Sequence, residues 1–132
     1  MQTRFAIATR GQGLTEFTAE VASWLAGQDD GLLTHFVRHT SCSLLIQENA
    51  DPDVRADLQG YLRRLVPEGQ PWFTHTAEGP DDMPAHIKAA LLPVSLQIPV
   101  QGGRMLLGTW QGIYLWEHRS HPHRREVVAH FA

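Results

Sequence analysis

The sequence has very little cysteine, no long apolar run and no excess of basic charge, and each shortage excludes a class of protein. The single cysteine, Cys42, excludes an internal disulfide and a cysteine-rich zinc site. No apolar stretch approaches the about 18–20 residues that cross a bilayer, so we expect no membrane partner. The net charge of −3 argues against a general nucleic-acid binder, which is usually basic. The start, MQTRFAIATR, is too short and polar for a secretory signal, and we expect a cytoplasmic protein.

The remaining patterns predict a single α+β domain over residues 1–132 with a mainly antiparallel sheet. Apolar spacing predicts a long helix from Leu14 with Thr15 as a possible N-cap, a second long helix from near Asp53, and a short helix over Met83–Leu92. Short turns, such as the one at residues 102–103, separate the late strands, which favours antiparallel pairing over a doubly wound fold. Strands are predicted over 2–9, 32–38, 43–47, 94–100, 105–109, 113–117 and 126–131.

The chain is rich in histidine, with eight, and two of these flank an acidic loop. Between His75 and His86 lie Glu78, Asp81 and Asp82. We expect His86 in the first turn of a helix, where the positive end of the helix dipole keeps an imidazole neutral, as a metal ligand must be. The same helix end favours a phosphate. The alternative is that the aspartates cap the helix and both histidines are solvated.

A second polar group lies around residues 39–49, where His39 ends one predicted strand and Glu48 ends the next. The pattern leaves open whether these strands form a hairpin or one bent segment, and so how far apart His39 and Glu48 lie. Cys42 is a candidate nucleophile, because a thiolate beside a histidine is reactive. A lone cysteine beside an apolar run is more often a small buried hydrophobe, and that alternative is favoured here.

Two further polar features lie near the C-terminus. Gln111 stands among apolar residues between Gly108 and Gly112, which suggests that its side chain points into a site. Three arginines follow, and guanidinium groups bind phosphate through paired hydrogen bonds. The alternative for this segment is a solvated loop before the last strand. The three arginines are Arg119, Arg124 and Arg125.

Three stretches of the chain together resemble the YjbQ family, also called UPF0047. They are HTSCSLLIQEN at 39–49, HTAEGPDDMPAHIKAALL at 75–92 and GRMLLGTWQGIYLWEHR at 103–119. They occur in the family's order, and the resemblance covers nearly the whole chain. It implies a compact α+β fold, a homotrimer, and a polar pocket in which His39, His75 and His86 lie together, often with a metal ion or an anion.

The resemblance also implies an activity, that of a secondary thiamine-phosphate synthase. This reaction joins a pyrimidine pyrophosphate to a thiazole phosphate and releases pyrophosphate. The three histidines would hold a divalent ion with an open position, as in catalytic sites. Zinc suits imidazole ligands, whereas magnesium would need the oxygen ligands of the acidic loop.

Other residues are assigned roles in this hypothesis. Lys88 or Arg119 would neutralise the leaving pyrophosphate, and Glu48 or Asp82 would orient a ligating imidazole through its second nitrogen. Gln111 joins Glu48 and Asp82 as a candidate catalytic residue. Two alternatives remain open: a metal-dependent hydrolase that activates water at the same histidines, and a non-catalytic homotrimer that binds a metal or a small ligand.

Overall fold

A computed structural model describes residues 1–132 and contains eight strands and three helices, which confirms the predicted α+β class. The strands are β1 (Gln2–Ala8), β2 (Gly13–Glu16), β3 (Gly31–Val37), β4 (Cys42–Glu48), β5 (Ser95–Gln101), β6 (Arg104–Met105), β7 (Gln111–Glu117) and β8 (Arg124–Phe131). The helices are α1 (Thr18–Leu25), α2 (Pro52–Leu65) and α3 (Asp82–Leu91).

The strands form two sheets, and every strand pair is antiparallel. The larger sheet has the order β1-β8-β3-β5-β6, and the smaller one has the order β2-β7-β4. The last strand therefore lies between the first and the third, which ties the two ends of the chain together. β3 and β4 belong to different sheets, so residues 38–41 carry the chain from one sheet to the other and neither the hairpin nor the single bent strand occurs.

The main core lies between the two sheets and is closed by α1. Leu33 and Val127 of the larger sheet, Leu44 and Leu115 of the smaller sheet, and Val21 of α1 are all completely buried. On the other face of the smaller sheet, a second apolar cluster joins Trp116 of β7 to apolar residues of α2 and α3. The architecture is thus layered, because both faces of the smaller sheet and one face of the larger sheet are buried against a neighbouring layer.

The prediction that the first helix begins at Leu14 is wrong. Residues Gly13–Glu16 form an edge strand that pairs with β7, and the helix begins only at Thr18, so Thr15 caps nothing. Leu14 fits helical spacing with Phe17, but its partner across the sheet is Trp116. Tertiary strand pairing outweighs the local pattern here. The helix has eight residues and is the shortest of the three, not one of the longer two.

A second correction concerns the predicted strand over 105–109, of which only Met105 pairs, as part of the two-residue strand β6 against β5. The side chain of Gln111 accepts a hydrogen bond from the Gly108 backbone, and this holds residues 108–111 in a turn instead. No helix of the structure combines the length and the apolar character that a bilayer span requires.

Candidate metal centre at the start of helix α3

The first turns of α3 present an aspartate and a histidine on one helix face. Asp82 is the first residue of α3, and His86 follows four residues later, a spacing that makes the two side chains neighbours. The His86 Nε2 atom lies 3.1 Å from Asp82 Oδ2. His86 is therefore the fifth residue of α3, one position further into the helix than the sequence pattern predicts.

His75 reaches the same carboxylate oxygen from the preceding loop. Its Nε2 atom lies 2.6 Å from Asp82 Oδ2 and 3.7 Å from Glu78 Oε2. The loop turns back at Gly79, whose φ of 101° belongs to the left-handed region that favours glycine. A Cβ atom there would also approach Asp81 Oδ1 to 3.1 Å. The glycine thus lets His75 and Glu78 approach the helix.

The four side chains form a group suited to a divalent cation. Ligand atoms of His75, Glu78, Asp82 and His86 all lie within 4.8 Å of one another. Two ligands of a tetrahedral zinc ion are about 3.4 Å apart, which follows from bond lengths of about 2.0–2.1 Å. The observed separations of 2.6, 3.1 and 3.7 Å bracket that value. Two imidazoles with one or two carboxylates are a common donor set for zinc and iron.

The tautomer of His86 supports this fit. His86 Nδ1 lies 2.9 Å from the carbonyl oxygen of Thr40, to which only a protonated nitrogen can donate. In the neutral ring, the Nε2 lone pair then points at a carboxylate oxygen of Asp82. Two acceptors facing each other need a cation or a proton between them. A backbone carbonyl that fixes the second nitrogen is also the usual support of a metal-ligating histidine.

Arg119 holds the carboxylates of Asp81 and Asp82 in place through ion pairs. Its Nε atom donates to Asp81 Oδ2 at 2.8 Å, its Nη1 atom lies 2.8 Å from Asp82 Oδ1, and its Nη2 atom donates to the carbonyl of Glu78. Burial alone raises the pKa of Asp82, but the hydrogen bond from His75 and the charge of Arg119 bring that pKa below its usual value. Asp82 is thus held as a carboxylate, as a metal ligand must be.

Asp81 does not use its side chain to cap α3. It occupies the N-cap position, but its carboxylate accepts from Arg119 and from the backbone N–H of Ser120 at 2.9 Å. Burial raises its pKa, and these hydrogen bonds lower it by more. Its role is therefore to anchor the segment after β7 against the start of the helix.

His39 does not join this group within one chain, contrary to the expectation that His39, His75 and His86 meet. β3 ends at Val37 in the larger sheet, and His39 turns toward the neighbouring β8. Its Nε2 atom accepts a hydrogen bond from the Glu126 backbone at 2.9 Å. The chain crosses to the smaller sheet just after this point, so the carbonyl of Thr40, rather than His39, meets His86.

Glu48 and Gln111 also lie away from the group formed by His75, Glu78, Asp82 and His86, which is called the metal group below. They pair with each other at one end of the smaller sheet, whereas Cys42 and Glu117 pair at the end nearer to Arg119. A strand of seven residues is about 20 Å long. Glu48 Oε2 accepts from the backbone of Ala50 and of Asp51, and so shapes the turn before α2. Neither side chain can orient a ligating imidazole of the same chain.

The two predicted phosphate ligands are not free to bind a phosphate, because Arg119 is ion-paired and Lys88 is buried. The Arg119 guanidinium is bonded to two aspartates and a carbonyl, and its side chain is only 17% exposed. Lys88 is 2% exposed and has no ion-pair partner. Burial lowers its pKa. Neither cation is presented to a phosphate at the surface.

Cys42 is a buried core residue, as the alternative of a small buried hydrophobe predicts. Its side chain is fully inaccessible, and burial raises the pKa of its thiol to about 12. A second apparent nucleophile is equally unreachable. Ser43 Oγ and His118 Nε2 lie 2.8 Å apart, but both residues are buried among the sheets and α3. Neither group can meet a substrate in this structure.

The sequence pattern pointed to His75, Asp82 and His86 as candidate ligands, but not to the contacts that hold the surrounding structure in place. The spacing of four between Asp82 and His86 was available, and a helix from Asp82 would have placed them on one face. The buried ion pair of Glu117 with Arg125, which joins the two sheets, had no local signal because its partners meet only through the sheet packing. The Thr40 carbonyl likewise carries no sequence signature.

A cleft of about 280 Å³ opens beside the metal group. His75 forms part of its wall together with Phe73, Thr76 and Met83. Its volume is close to the lower end of small-molecule sites, which begin at about 300 Å³. His75 and Glu78 are 43% and 64% exposed, so the group is open to a ligand in this cleft.

Comparison with known proteins identifies relatives along the whole chain. The family model described as UPF0047 protein YjbQ-like matches residues 3–132. The UPF0047 protein sll1880 of Synechocystis is 53% identical over 126 residues, which are 94% of this chain and 86% of that protein. The UPF0047 protein YjbQ of Salmonella typhimurium is 43% identical over 131 residues, covering 97% of this chain and 94% of its own length.

Solved structures agree with the fold. The conserved hypothetical protein TT1486 of Thermus thermophilus superposes with a TM-score of 0.89 at 38% identity, over 98% of this chain and 99% of that one. A YjbQ/UPF0047 protein of Clostridium acetobutylicum superposes with a TM-score of 0.85 at 33% identity, over 100% of this chain and 99% of its own. With a family model across residues 3–132 and relatives of this identity, the chain belongs to the YjbQ-like UPF0047 family.

Proposed function

We propose that this protein is an enzyme that uses one divalent metal ion, held by His75, Asp82 and His86, to act on a phosphorylated small molecule. The observation that carries the proposal is the convergence of two imidazole nitrogens on one buried carboxylate oxygen, with the proton of His86 directed to a backbone carbonyl. Zinc fits this donor set better than magnesium, since imidazole suits zinc. When bound, such an ion supplies Lewis acidity to a phosphate oxygen.

The residues of the chain have distinct parts in this proposal. Arg119 positions Asp82 and keeps it ionised, and the Thr40 carbonyl sets the orientation of His86. Glu78, which is the most exposed member of the group, is placed to complete the ligand set or to accept a proton from the substrate. The adjacent cleft at Phe73 and Met83 would hold the organic part of the substrate.

The first candidate reaction is the thiamine-phosphate synthase type of condensation that the family resemblance implies. Its leaving group is pyrophosphate, which usually departs with a divalent ion bound through oxygen ligands. Glu78 and Asp82 supply such oxygens in the group. The chain offers little further positive charge at this point, because Arg119 is paired and Lys88 is buried.

The second candidate is a metal-dependent hydrolase. The observation that favours it is the donor set itself, since two histidines and one carboxylate with an open position are the ligands of several zinc hydrolases. Glu78 would then act as the general base toward water, because its carboxylate lies beside the group without an arginine partner.

We also propose that the protein works as a homotrimer, as the resemblance implies. Several large apolar side chains are unusually exposed in the isolated chain, among them Trp72 at 71%, Leu91 at 62% and Phe36 at 43%. Exposed apolar surface of this kind is typical of protein–protein contacts. Light scattering should give three times the 14.8 kDa of one chain. A monomer at micromolar concentration would contradict this part of the proposal.

The experiment that tests the enzyme proposal combines metal analysis with two assays. The purified protein is analysed for bound metal and then assayed with the pyrimidine pyrophosphate and the thiazole phosphate, and separately with a phosphate ester. We expect metal-dependent turnover in one assay and its loss in His75→Ala. The control is His121→Ala, which removes an exposed histidine that has no part in the group.

The outcomes separate the candidates. Synthase product that requires His75 supports the condensation, and ester hydrolysis with the same requirement supports the hydrolase. Stoichiometric metal without turnover in either assay would leave a non-catalytic metal-binding module. Absence of metal binding, or equal activity in His75→Ala and His121→Ala, would overturn the metal centre itself.

A further inference from the structure

A second polar cleft, of about 380 Å³, lies on the larger sheet and contains no apolar residue. Its walls are formed by Arg4, Arg38, His39, Arg124 and Glu126. None of these side chains belongs to the metal group at α3. The cleft gathers three of the chain's basic residues at one place, in a protein whose net charge is −3.

The strand register explains why these side chains meet. Glu126 on β8 pairs with Ala6 on β1, and Arg124 pairs with Ala8. Arg4 lies two residues from Ala6 on the same strand, so it points to the same face of the sheet. Both alanines are exposed, and their small side chains leave the floor of the cleft open between the arginines.

The positive charge of the cleft is only partly neutralised. Glu126 Oε1 is shared between Arg38 Nη1 at 3.3 Å and Arg4 Nη1 at 3.4 Å. Arg124 is exposed and has neither an ion-pair partner nor a side-chain hydrogen bond. One carboxylate against three guanidinium groups leaves a net positive site, which attracts an anion of matching geometry.

His39 contributes a further donor. Its Nε2 atom accepts from the Glu126 backbone N–H, so the neutral ring carries its proton on Nδ1. Nδ1 has no protein partner, and burial and the charge of Arg125 lower the pKa of this histidine. The ring is therefore a neutral, oriented N–H donor in the wall of a cationic cleft.

We propose that this cleft is a binding site for the phosphate group of a small molecule, held by Arg38 and Arg124 with Arg4 and His39 beside them. Guanidinium groups bind phosphate through paired N–H donors, and a dianion matches the net charge of the site. The patch is too small and the chain too acidic to favour a nucleic-acid backbone. The site does not depend on the metal centre and is tested without it.

The test is calorimetric titration of the full chain with inorganic phosphate and with pyrophosphate, in buffer with a chelator so that no metal contributes. We expect saturable binding of about one ion per chain. Arg124→Gln should weaken it about tenfold or more, since one charge-assisted contact to the anion is lost. The matched control is Arg104→Gln, which removes another exposed arginine on the same sheet outside the cleft.

Five results would overturn the proposal. Absence of saturable binding would show that the cleft is merely a solvated basic patch. Equal weakening in Arg124→Gln and Arg104→Gln, or equal competition by chloride, would indicate general screening. Tighter binding of duplex DNA than of pyrophosphate would indicate a nucleic-acid surface. A change of oligomeric state in Arg124→Gln without a change in phosphate affinity would assign the cleft to an acidic surface of another copy.

Discussion

The Nη1 atom of Arg119 lies 2.8 Å from Oδ1 of Asp82, and this ion pair joins the segment after β7 to the first residue of α3. The contact leaves the other carboxylate oxygen of Asp82 facing His75 and His86. The arginine thus orients a candidate metal ligand through the oxygen that the histidines do not use. Such support of a ligand from outside the metal group is typical of built metal sites.

Replacement of Arg119 should destabilise the metal-free protein. In Arg119→Gln, the carboxylates of Asp81 and Asp82 lose their cation while both remain almost completely buried. Removing one partner of a buried ion pair costs about 3 kcal/mol in the free energy of unfolding. Urea denaturation with a chelator present measures this loss. Arg119→Lys should lose less, because it retains the charge, and equal midpoints for all three proteins would contradict the buried pair.

Zinc should stabilise the protein, and Asp82 should be needed for this. A ligand at about one hundred times its dissociation constant adds about 2.7 kcal/mol to the free energy of unfolding. Thermal denaturation with and without zinc should show that gain in the unmodified chain and in Asp81→Asn, but not in Asp82→Asn. Both variants lose a carboxylate that contacts Arg119, but only Asp82 belongs to the metal group. Equal stabilisation of the two would place the ion elsewhere.

The sequence was most informative where a pattern had a single structural solution. The α+β class and the position of α2 followed from the sequence, because the apolar residues repeat at helical spacing after the start predicted near Asp53, one residue from the observed start at Pro52. The spacing from Leu14 to Phe17 failed, since it fits a helix but the segment pairs with β7. Propensity cannot foresee which edge a short strand will join.

The candidate site, like the fold, could be predicted from the sequence only in part. His75, Asp82 and His86 lie within twelve residues of chain, so local geometry suffices to bring them together. His39 lies far away in sequence, and its place was set by which sheet β3 joins. No pattern within residues 31–48 reveals that β3 and β4 belong to different sheets.

The thiol of Cys42 should be unreactive in the native protein. Burial raises its pKa to about 12, so only about one thiol in ten thousand is ionised at pH 8. Ellman's reagent should therefore label the native chain slowly and the urea-unfolded chain at once, with one thiol per chain in total. Cys42→Ala should retain full activity. Rapid labelling of the native protein, or inactivation by it, would revive the nucleophile hypothesis.

His35 is the one side chain whose buried nitrogens have no hydrogen-bond partner. The ring is completely inaccessible in the main core, edge-on to Phe17 at a centroid distance of 5.6 Å and near Phe5. Burial lowers its pKa from 6.5 to about 4. The folded chain thus keeps a neutral imidazole at a pH where the unfolded chain would protonate it.

Acid should therefore destabilise the fold through His35. Between pH 6.5 and 4 the unfolded state binds a proton that the native state refuses, so stability falls as the pH is lowered through this window. The loss attributable to this histidine is about 3 kcal/mol at pH 4. Urea denaturation at pH 7 and pH 4 should show that His35→Leu loses about 3 kcal/mol less than the unmodified chain, and that it is also more stable at pH 7 because two unpaired polar atoms are removed.

His118, whose pKa burial lowers to about 3, remains in the variant and preserves part of the acid sensitivity. The exposed His121→Leu variant should follow the unmodified chain at both pH values. Parallel pH profiles for His35→Leu and His121→Leu would show that the His35 ring is protonated in the core without penalty.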